Sequence, residues 1–134
     1  MTGRSPRSHG AVGYDGKRAV VVGGAIGMGA AAEVHIRDLG AEVVVLDYAP
    51  IALDGVTSIP LDLRDRESIE AAVDAVGGPI HALLSCAGVA DGTAGIEKIN
   101  FIGHRNLIDR VAETGYLGKG SSLTIITSAA SLGW

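Results

Sequence analysis

The architecture of this chain is set by Val22-Gly23-Gly24-Ala25-Ile26-Gly27-Met28-Gly29, which joins an apolar run at residues 19–22 to a helical pattern at 27–39. Glycines at such a junction let the chain turn sharply and bring backbone N–H groups close to a ligand. The first turn of the helix adds its partial positive charge. The stretch therefore predicts a site for the pyrophosphate of a dinucleotide, with plain turns as the alternative use of the glycines.

Beyond this stretch, short apolar runs alternate with helical patterns. The second predicted helix begins after Asp65, a capping residue, and spaces its apolar residues at i, i+3, i+4 and i+7. This alternation predicts an α/β fold, a Rossmann-like doubly wound parallel sheet truncated after its fifth strand. The predicted strands are 19–22, 42–46, 56–61, 80–85 and 123–127, and the predicted helices are 27–39, 66–76 and about 97–113.

Composition excludes several classes of protein. The 134 residues carry a net charge of −4 and show no concentrated basic face, so we expect no binding to nucleic acid. The longest uncharged run, residues 19–32, is too short and too rich in glycine to span a membrane. The single cysteine, Cys86, fits a reducing cytoplasm, and the four histidines lack the spacing of metal ligands. The sequence thus predicts a cytoplasmic protein without a metal site, with a flexible tail at 1–14 and one domain at 15–134.

Asp47 closes the second predicted strand, 24 residues after Gly23. A carboxylate in this position can accept hydrogen bonds from the ribose hydroxyls of an adenosine, and it repels a 2′-phosphate. Tyr48 follows it, where an Arg or Lys would neutralise it. The sequence therefore favours NAD over NADP, and the plainer alternative is a solvated aspartate at a strand end.

Several motifs occur together in one order and spacing. From about residue 17 to 134 the sequence resembles the short-chain dehydrogenases/reductases, and residues 88–100 and 128–134 are similar to members of the 3α-hydroxysteroid dehydrogenase/carbonyl reductase type. The motifs that carry the resemblance are Gly23-x-x-x-Gly27-x-Gly29, Asp47, Leu61-Asp62-Leu63, Ser85-Cys86-Ala87-Gly88, Asn100 and Ile126-Thr127-Ser128.

The resemblance implies a role for each motif. The glycine loop would hold the cofactor pyrophosphate, Asp47 the adenosine ribose, and Asp62 with Leu63 the adenine edge. Asn100 would position a proton-relay water through its backbone, and Ser128 would donate a hydrogen bond to the substrate carbonyl. The implied cofactor contacts are Gly23, Ala25, Ile26, Gly27, Met28, Asp47, Asp62, Leu63, Ala87 and Gly88.

Three plainer interpretations stay open beside these roles. Asp62 can be a simple turn residue, Ser128 a serine in a strand-end turn, and Asn100 an exposed helix residue. Cys86 departs from the family pattern, which has Asn there, and is better interpreted as a small buried residue than as a catalytic thiol.

The resemblance also implies a Tyr-x-x-x-Lys pair after the serine, which this sequence lacks. In the family the tyrosine acts as general acid/base and the lysine lowers its pKa. We therefore expect a truncated NAD(P)-dependent oxidoreductase with little activity by itself. Its full-length parent would transfer a hydride between nicotinamide and an alcohol or ketone, with steroid-like ketones as one option.

The alternative is a non-catalytic dinucleotide-binding module or an inactive partner subunit. The expected partners are the dinucleotide and a small-molecule alcohol or ketone, without nucleic acid or membrane, and a homo-oligomer is one option. We also expect the apolar run at 123–126 to form an exposed sheet edge.

Overall fold

The computed structural model describes residues 13–128. A π-helical segment, Lys98–Ile102, leads directly into the third α-helix. In chain order the elements are β1 Arg18–Val22, α1 Gly27–Asp38, β2 Glu42–Asp47, β3 Val56–Pro60, α2 Arg66–Val76, β4 Ile80–Ser85, α3 Gly103–Thr114 and β5 Leu117–Ile125.

The five strands form one parallel sheet in the order β3-β2-β1-β4-β5. β1 lies at its centre, where Val20 is in register with Val44 of β2 and Leu83 of β4. Such apolar strands are expected in a parallel sheet that helices cover on both faces. The chain runs from β1 outward to β3 and then returns to the other side of β1 at β4. This reversal opens a crevice at the carboxyl ends of β1 and β4, and it confirms the predicted doubly wound α/β fold.

The two faces of the sheet carry separate apolar cores. One core, the two-helix face, packs the sheet against α2 and α3. The other core, the one-helix face, contains Ala19, Val21, Ala41, Val43 and Val45, with Ile36 of α1 packed against them. The two-helix face contains Val20, Val22, Val44, Leu46, Leu61, Leu63, Ile69, Ala72, Val73, Val76, Ile80, Leu83, Leu107 and Val111.

The second helix begins at its predicted capping residue. The Asp65 side chain accepts a hydrogen bond from the Glu67 backbone N–H at 3.0 Å, which caps the start of α2. Gly77 caps its end with a φ of 67°.

Tyr14, at the end of the predicted tail, donates its backbone N–H to the Leu39 carbonyl at 3.0 Å. Residues 1–12 of that tail lie outside the described residues.

The boundaries predicted for the fifth strand were wrong. β5 begins at Leu117, six residues before the predicted start, and ends at Ile125. Residues 118–122 are glycines, a lysine and serines, so they show no apolar run. The pairs of Leu117 with Ile80 and of Ser122 with Ala82 enclose a register irregularity, and across it the Ser121 Oγ donates to the Ile80 carbonyl at 2.8 Å.

β5 forms one edge of the sheet among the described residues. Leu123 and Ile125 are 42% and 44% exposed, as the sequence predicts for this run. An apolar edge strand of this kind favours pairing with another strand.

Candidate functional site

A cleft of about 330 Å³ opens at the carboxyl ends of the central strands. Its lining comes from the last residues of β1 and β2 and from the segments that follow β1, β2, β3 and β4, together with Ile99 of the π-helical segment. The fold places the cleft at the reversal of strand order, where open α/β sheets bind their ligands. The predicted site residues that line it are Gly23, Ala25, Ile26, Asp47, Asp62, Leu63, Ala87 and Gly88.

Four predicted residues are not part of this lining. Gly27 and Met28 form the exposed first turn of α1. Asn100 lies in the π-helical segment, behind the segment that follows β4. Ser128 follows β5 and is exposed. The catalytic roles of Asn100 and Ser128 stay predictions.

The glycine loop is shaped by close backbone contacts. Gly23 has a φ of 83°, and a Cβ on this residue would lie 2.5 Å from the Ala87 Cα. A Cβ on Gly29 would run into the Gly23 carbonyl, so α1 starts directly against the end of β1. The N-cap residue of α1 is Ile26, whose side chain gives no hydrogen bond to the first turn. The N–H groups and positive dipole end of α1 therefore face the loop without a side-chain cap.

Asp47 ties the end of β2 to the glycine loop. Its Oδ2 accepts a hydrogen bond from the Ala25 N–H at 2.9 Å, and its Oδ1 accepts one from the Ala49 N–H at 2.9 Å. Each carboxylate oxygen keeps a further lone pair for an additional donor. The geometry thus fixes a negative charge beside the loop, with acceptors left for hydroxyl groups.

A charged and aromatic group lies at the β3 side of the cleft. The Asp62 carboxylate accepts two hydrogen bonds from the Arg64 guanidinium, from Nε at 2.9 Å and from Nη2 at 2.8 Å. Arg64 also stacks over the Tyr48 ring, 5.5 Å from its centroid. The hydrogen bonds from Arg64 lower the pKa of Asp62, so this carboxylate stays ionised.

The segment after β4 is held by several contacts. The Cys86 N–H donates to the Val22 carbonyl at 2.8 Å. The Asn100 side-chain amide accepts from the Val89 N–H and donates to the Val89 carbonyl, both at 2.8 Å. His104, in the first turn of α3, contacts both the Ser85 hydroxyl and the Ala87 carbonyl. Burial raises the pKa of the Cys86 thiol, which favours its neutral form.

Sequence reasoning missed Arg64 and His104. Arg64 stands two residues after a predicted site residue, and that proximity was the only local signal for it. His104 stands four residues after Asn100, one helical turn away, which places both on one side of the helix. The position of either residue in the sequence does not predict which residues it contacts. The partners of His104 lie 17 or more residues away along the chain.

Two findings concern the described residues as a whole. Within residues 13–128, no group of three or more His, Cys, Asp or Glu side chains could hold a metal ion. In the same range, no helix combines the length and the apolar character needed to cross a membrane.

No family model matches the sequence. A "probable oxidoreductase" of Streptomyces antibioticus is 36% identical over 87 residues, which are 55% of this chain and 29% of that protein. The 2,3-dihydro-2,3-dihydroxybenzoate dehydrogenase of Bacillus subtilis is 33% identical over 93 residues, 59% of this chain and 36% of that protein. The L-xylulose reductase of Mesocricetus auratus is 34% identical over 86 residues, 59% of this chain and 35% of that protein. The matches thus span about a third of the length of these relatives.

Solved structures show the same fold over most of the chain. The crystal structure of gox2181 superposes with a TM-score of 0.78 at 26% identity, covering 90% of this chain and 56% of that one. A short-chain type dehydrogenase/reductase from Mycobacterium ulcerans has a TM-score of 0.77 at 22% identity, with coverage of 90% and 54%. The chain is similar to short-chain dehydrogenases/reductases.

The short-chain dehydrogenase/reductase likeness agrees with the motifs in the sequence. The oxidoreductase, dehydrogenase and reductase names of the relatives support the predicted class of enzyme. Dehydrogenases of this fold imply a nicotinamide dinucleotide as cofactor. The 3α-hydroxysteroid dehydrogenase/carbonyl reductase subgroup stays a prediction.

Proposed function

We propose that this chain forms the cofactor-binding part of an NAD-dependent oxidoreductase of the short-chain dehydrogenase/reductase family. The observation that carries the proposal is the Asp47 carboxylate, fixed at the end of β2 and bonded to the Ala25 N–H of the glycine loop. This arrangement combines a cradle for a pyrophosphate with an acceptor for ribose hydroxyls in one cleft. The parent enzyme would transfer a hydride between nicotinamide and an alcohol or ketone substrate.

The glycine loop and α1 suit a pyrophosphate for two physical reasons. Gly23 and Gly29 let the loop pack closely against residue 87 and the start of α1 pack closely against the loop, because a side chain at either position would collide with the neighbouring backbone. The uncapped start of α1 offers backbone N–H donors and a positive dipole end. Gly27 and Met28 would contribute through this first turn.

The charges in the cleft favour NAD over NADP. A 2′-phosphate on the adenosine ribose would face the Asp47 carboxylate, and the two negative charges would repel each other. Among the described residues that line the cleft, Arg64 is the one cation, and its guanidinium is engaged by Asp62. Its positive charge is thus largely neutralised before any ligand arrives. We assign the adenine ring to the wall formed by Asp62 and Leu63.

The catalytic proposal concerns two residues outside the cleft lining. The Ser128 hydroxyl would donate a hydrogen bond to the substrate carbonyl, and the Asn100 backbone would position a water for proton transfer. The sequence contains no Tyr-x-x-x-Lys pattern, so we expect the 134-residue chain to bind the cofactor with little turnover. We place the protein in the cytoplasm, with a small-molecule substrate and a homo-oligomer as its further partners.

The test is a titration of the purified chain with NADH, followed by calorimetry, with NADPH in parallel. We expect saturable binding that favours NADH over NADPH. We expect Asp47→Arg to lower the ratio of NADH affinity to NADPH affinity at least tenfold, because the substitution reverses the local charge. Asp54→Arg makes the same change of charge at an exposed loop position outside the cleft, and it should leave the preference unchanged. A folded chain that binds neither dinucleotide would overturn the proposal.

The non-catalytic alternative is separated by a second measurement. If the chain binds NADH, a longer chain that carries a Tyr-x-x-x-Lys pair after Ser128 should oxidise or reduce alcohol/ketone pairs. Binding without activity in such a longer chain would favour the dinucleotide-binding module.

A further inference from the structure

His104 links helix α3 to the carboxyl end of β4. Its residue is 8% exposed, and its imidazole Nε2 lies 2.9 Å from the Ala87 carbonyl oxygen, while Nδ1 contacts the Ser85 hydroxyl. Ser85 is itself 1% exposed. A buried histidine with both ring nitrogens bonded cannot turn its ring without breaking a hydrogen bond.

The partners determine which nitrogen carries the proton. A carbonyl oxygen only accepts, so Nε2 must carry the hydrogen that points to Ala87. Nδ1 is then unprotonated and accepts the hydrogen bond from the Ser85 hydroxyl. Burial lowers the pKa of His104, which keeps the ring in this neutral form.

Ala87 is the point where the two sides of the cleft touch. A Cβ on Gly23 would lie 2.5 Å from the Ala87 Cα and 2.6 Å from its backbone nitrogen, so the two backbones are in direct contact. The Cys86 N–H to Val22 carbonyl bond holds this segment on one side, and Asn100 holds Val89 on the other. Between these contacts, the hydrogen bond from His104 holds the Ala87 carbonyl.

We propose that His104 is a positioning residue for the dinucleotide site. Through its Nε2–H bond to the Ala87 carbonyl, it fixes the backbone of residues 86–88 against the glycine loop and so sets the width of the cleft there. The consequence for cofactor affinity rests on the function proposed above. The positioning of the backbone does not, because it concerns contacts within the chain.

Two substitutions distinguish the hydrogen bond at Nε2 of the imidazole from the hydrogen bond at Nδ1. The amide of His104→Gln reaches the place of Nε2 and can still donate to Ala87, whereas the amide of His104→Asn reaches only the place of Nδ1. We expect His104→Gln to keep NADH affinity within about twofold, and His104→Asn to weaken it about tenfold, as expected for one lost hydrogen bond that positions the site. Equal affinities for the two variants would overturn the proposal.

The matched control is Val111→Ala, which removes buried side-chain volume from α3 away from the cleft. We expect it to lower the unfolding temperature at least as much as His104→Asn while leaving NADH affinity within twofold. A purely structural role for His104 would instead make affinity follow stability across all three variants. If His104→Gln fails to fold, Ser85→Ala takes its place, because it removes only the hydrogen bond to Nδ1. This variant should keep NADH affinity within about twofold.

Hydrogen exchange of the chain without cofactor tests the positioning separately from the proposed function. In His104→Asn we expect the Cys86 and Val89 amides to exchange about tenfold faster, because the segment between them loses a fixed point. The amides in the middle of α3 should keep their wild-type rates. Unchanged protection of Cys86 and Val89 would overturn the proposal, whether or not the chain binds NADH.

Discussion

The two faces of the sheet are built from the same strands but are covered to different depths. On the two-helix face, fourteen buried apolar residues of the strands, α2, α3 and the segment after β3 form one cluster. On the one-helix face, the corresponding cluster of described residues has five, all in or beside β1 and β2. Because apolar burial is the main favourable term in folding, most of the stability should reside on the two-helix face.

The one-helix face also carries a buried carboxyl group. Glu33 of α1 is 3% exposed, and its Oε2 has no hydrogen-bond partner within residues 13–128. It lies against Gly24, where an added Cβ would collide with it. Burial and then the nearby Asp47 carboxylate raise the pKa of Glu33, while Arg37 opposes them in part. The face beneath the glycine loop is therefore less deeply packed and is destabilised by ionisation of Glu33.

The largest expected effect is a truncation in the two-helix core. Leu107 of α3 is 0% exposed and packs within this cluster. We expect Leu107→Ala to lower the free energy of unfolding by about 3–4 kcal/mol, since it removes buried methyl groups and leaves a cavity. Urea denaturation measures this, and a loss below about 1 kcal/mol would contradict the assignment of stability to this face.

A matched pair on β1 compares the faces directly. Val20 and Val21 are 1% and 0% exposed and point to the two-helix and one-helix faces, respectively. We expect Val20→Ala to cost about 2 kcal/mol and Val21→Ala about 1 kcal/mol, because a thinner layer relaxes more easily around a cavity. Urea denaturation of both variants is the measurement, and the reverse order would show that the depth of cover does not control the cost.

Glu33→Gln should stabilise the one-helix face in a pH-dependent way. Because the folded-state pKa of Glu33 lies above its usual 4.5, its stabilising contribution is complete below pH 4.5 and is lost as the pH rises through the raised pKa. The variant does not titrate, so its advantage over the wild type should grow from near zero at pH 4 to about 1 kcal/mol at pH 8.

Urea denaturation between pH 4 and pH 8 measures this difference. Glu97→Gln, which makes the same substitution at an exposed position, serves as the control. A constant difference between Glu33→Gln and the wild type across this range would contradict the account of the buried carboxyl group.

The smallest effect is expected on the solvent side of α2. The Arg66 Nε lies 2.9 Å from Glu70 Oε1, and both side chains are well exposed. We expect Arg66→Ala to change the free energy of unfolding by less than about 0.5 kcal/mol, because an exposed i,i+4 ion pair contributes little. A loss above about 1 kcal/mol would show that surface charges on α2 rival the core beneath it.

Much of the fold could be predicted because its signals are local. Asp65 caps α2, and the spacing of Ile69, Ala72, Val73 and Val76 places all four in the core. Apolar runs mark β1, β2 and β4 because these strands are covered on both faces. β5 was predicted too short, since its polar first half contains a register irregularity opposite β4 and shows no apolar run.

The candidate site was predictable to a similar degree and for the same reason. The glycine loop and Asp47 each carry a signal in their own neighbourhood, and the fold brings them within hydrogen-bond distance. Glu33 gave no such signal, because a glutamate in a helix is ordinarily solvated and only packing shows that this one is buried.

The sequence alone was sufficient for the order of strands and helices along the chain, the position of the glycine loop and the negative charge at the end of β2. These features depend on residue type and on the spacing of residues that are close to one another in the sequence. The tertiary structure was needed for the stacking of Arg64 on Tyr48, for the contacts of His104 with Ser85 and Ala87, and for the unequal cover of the two faces. Each of these joins residues that are distant along the chain, and only the folding of the sheet determines which of them meet.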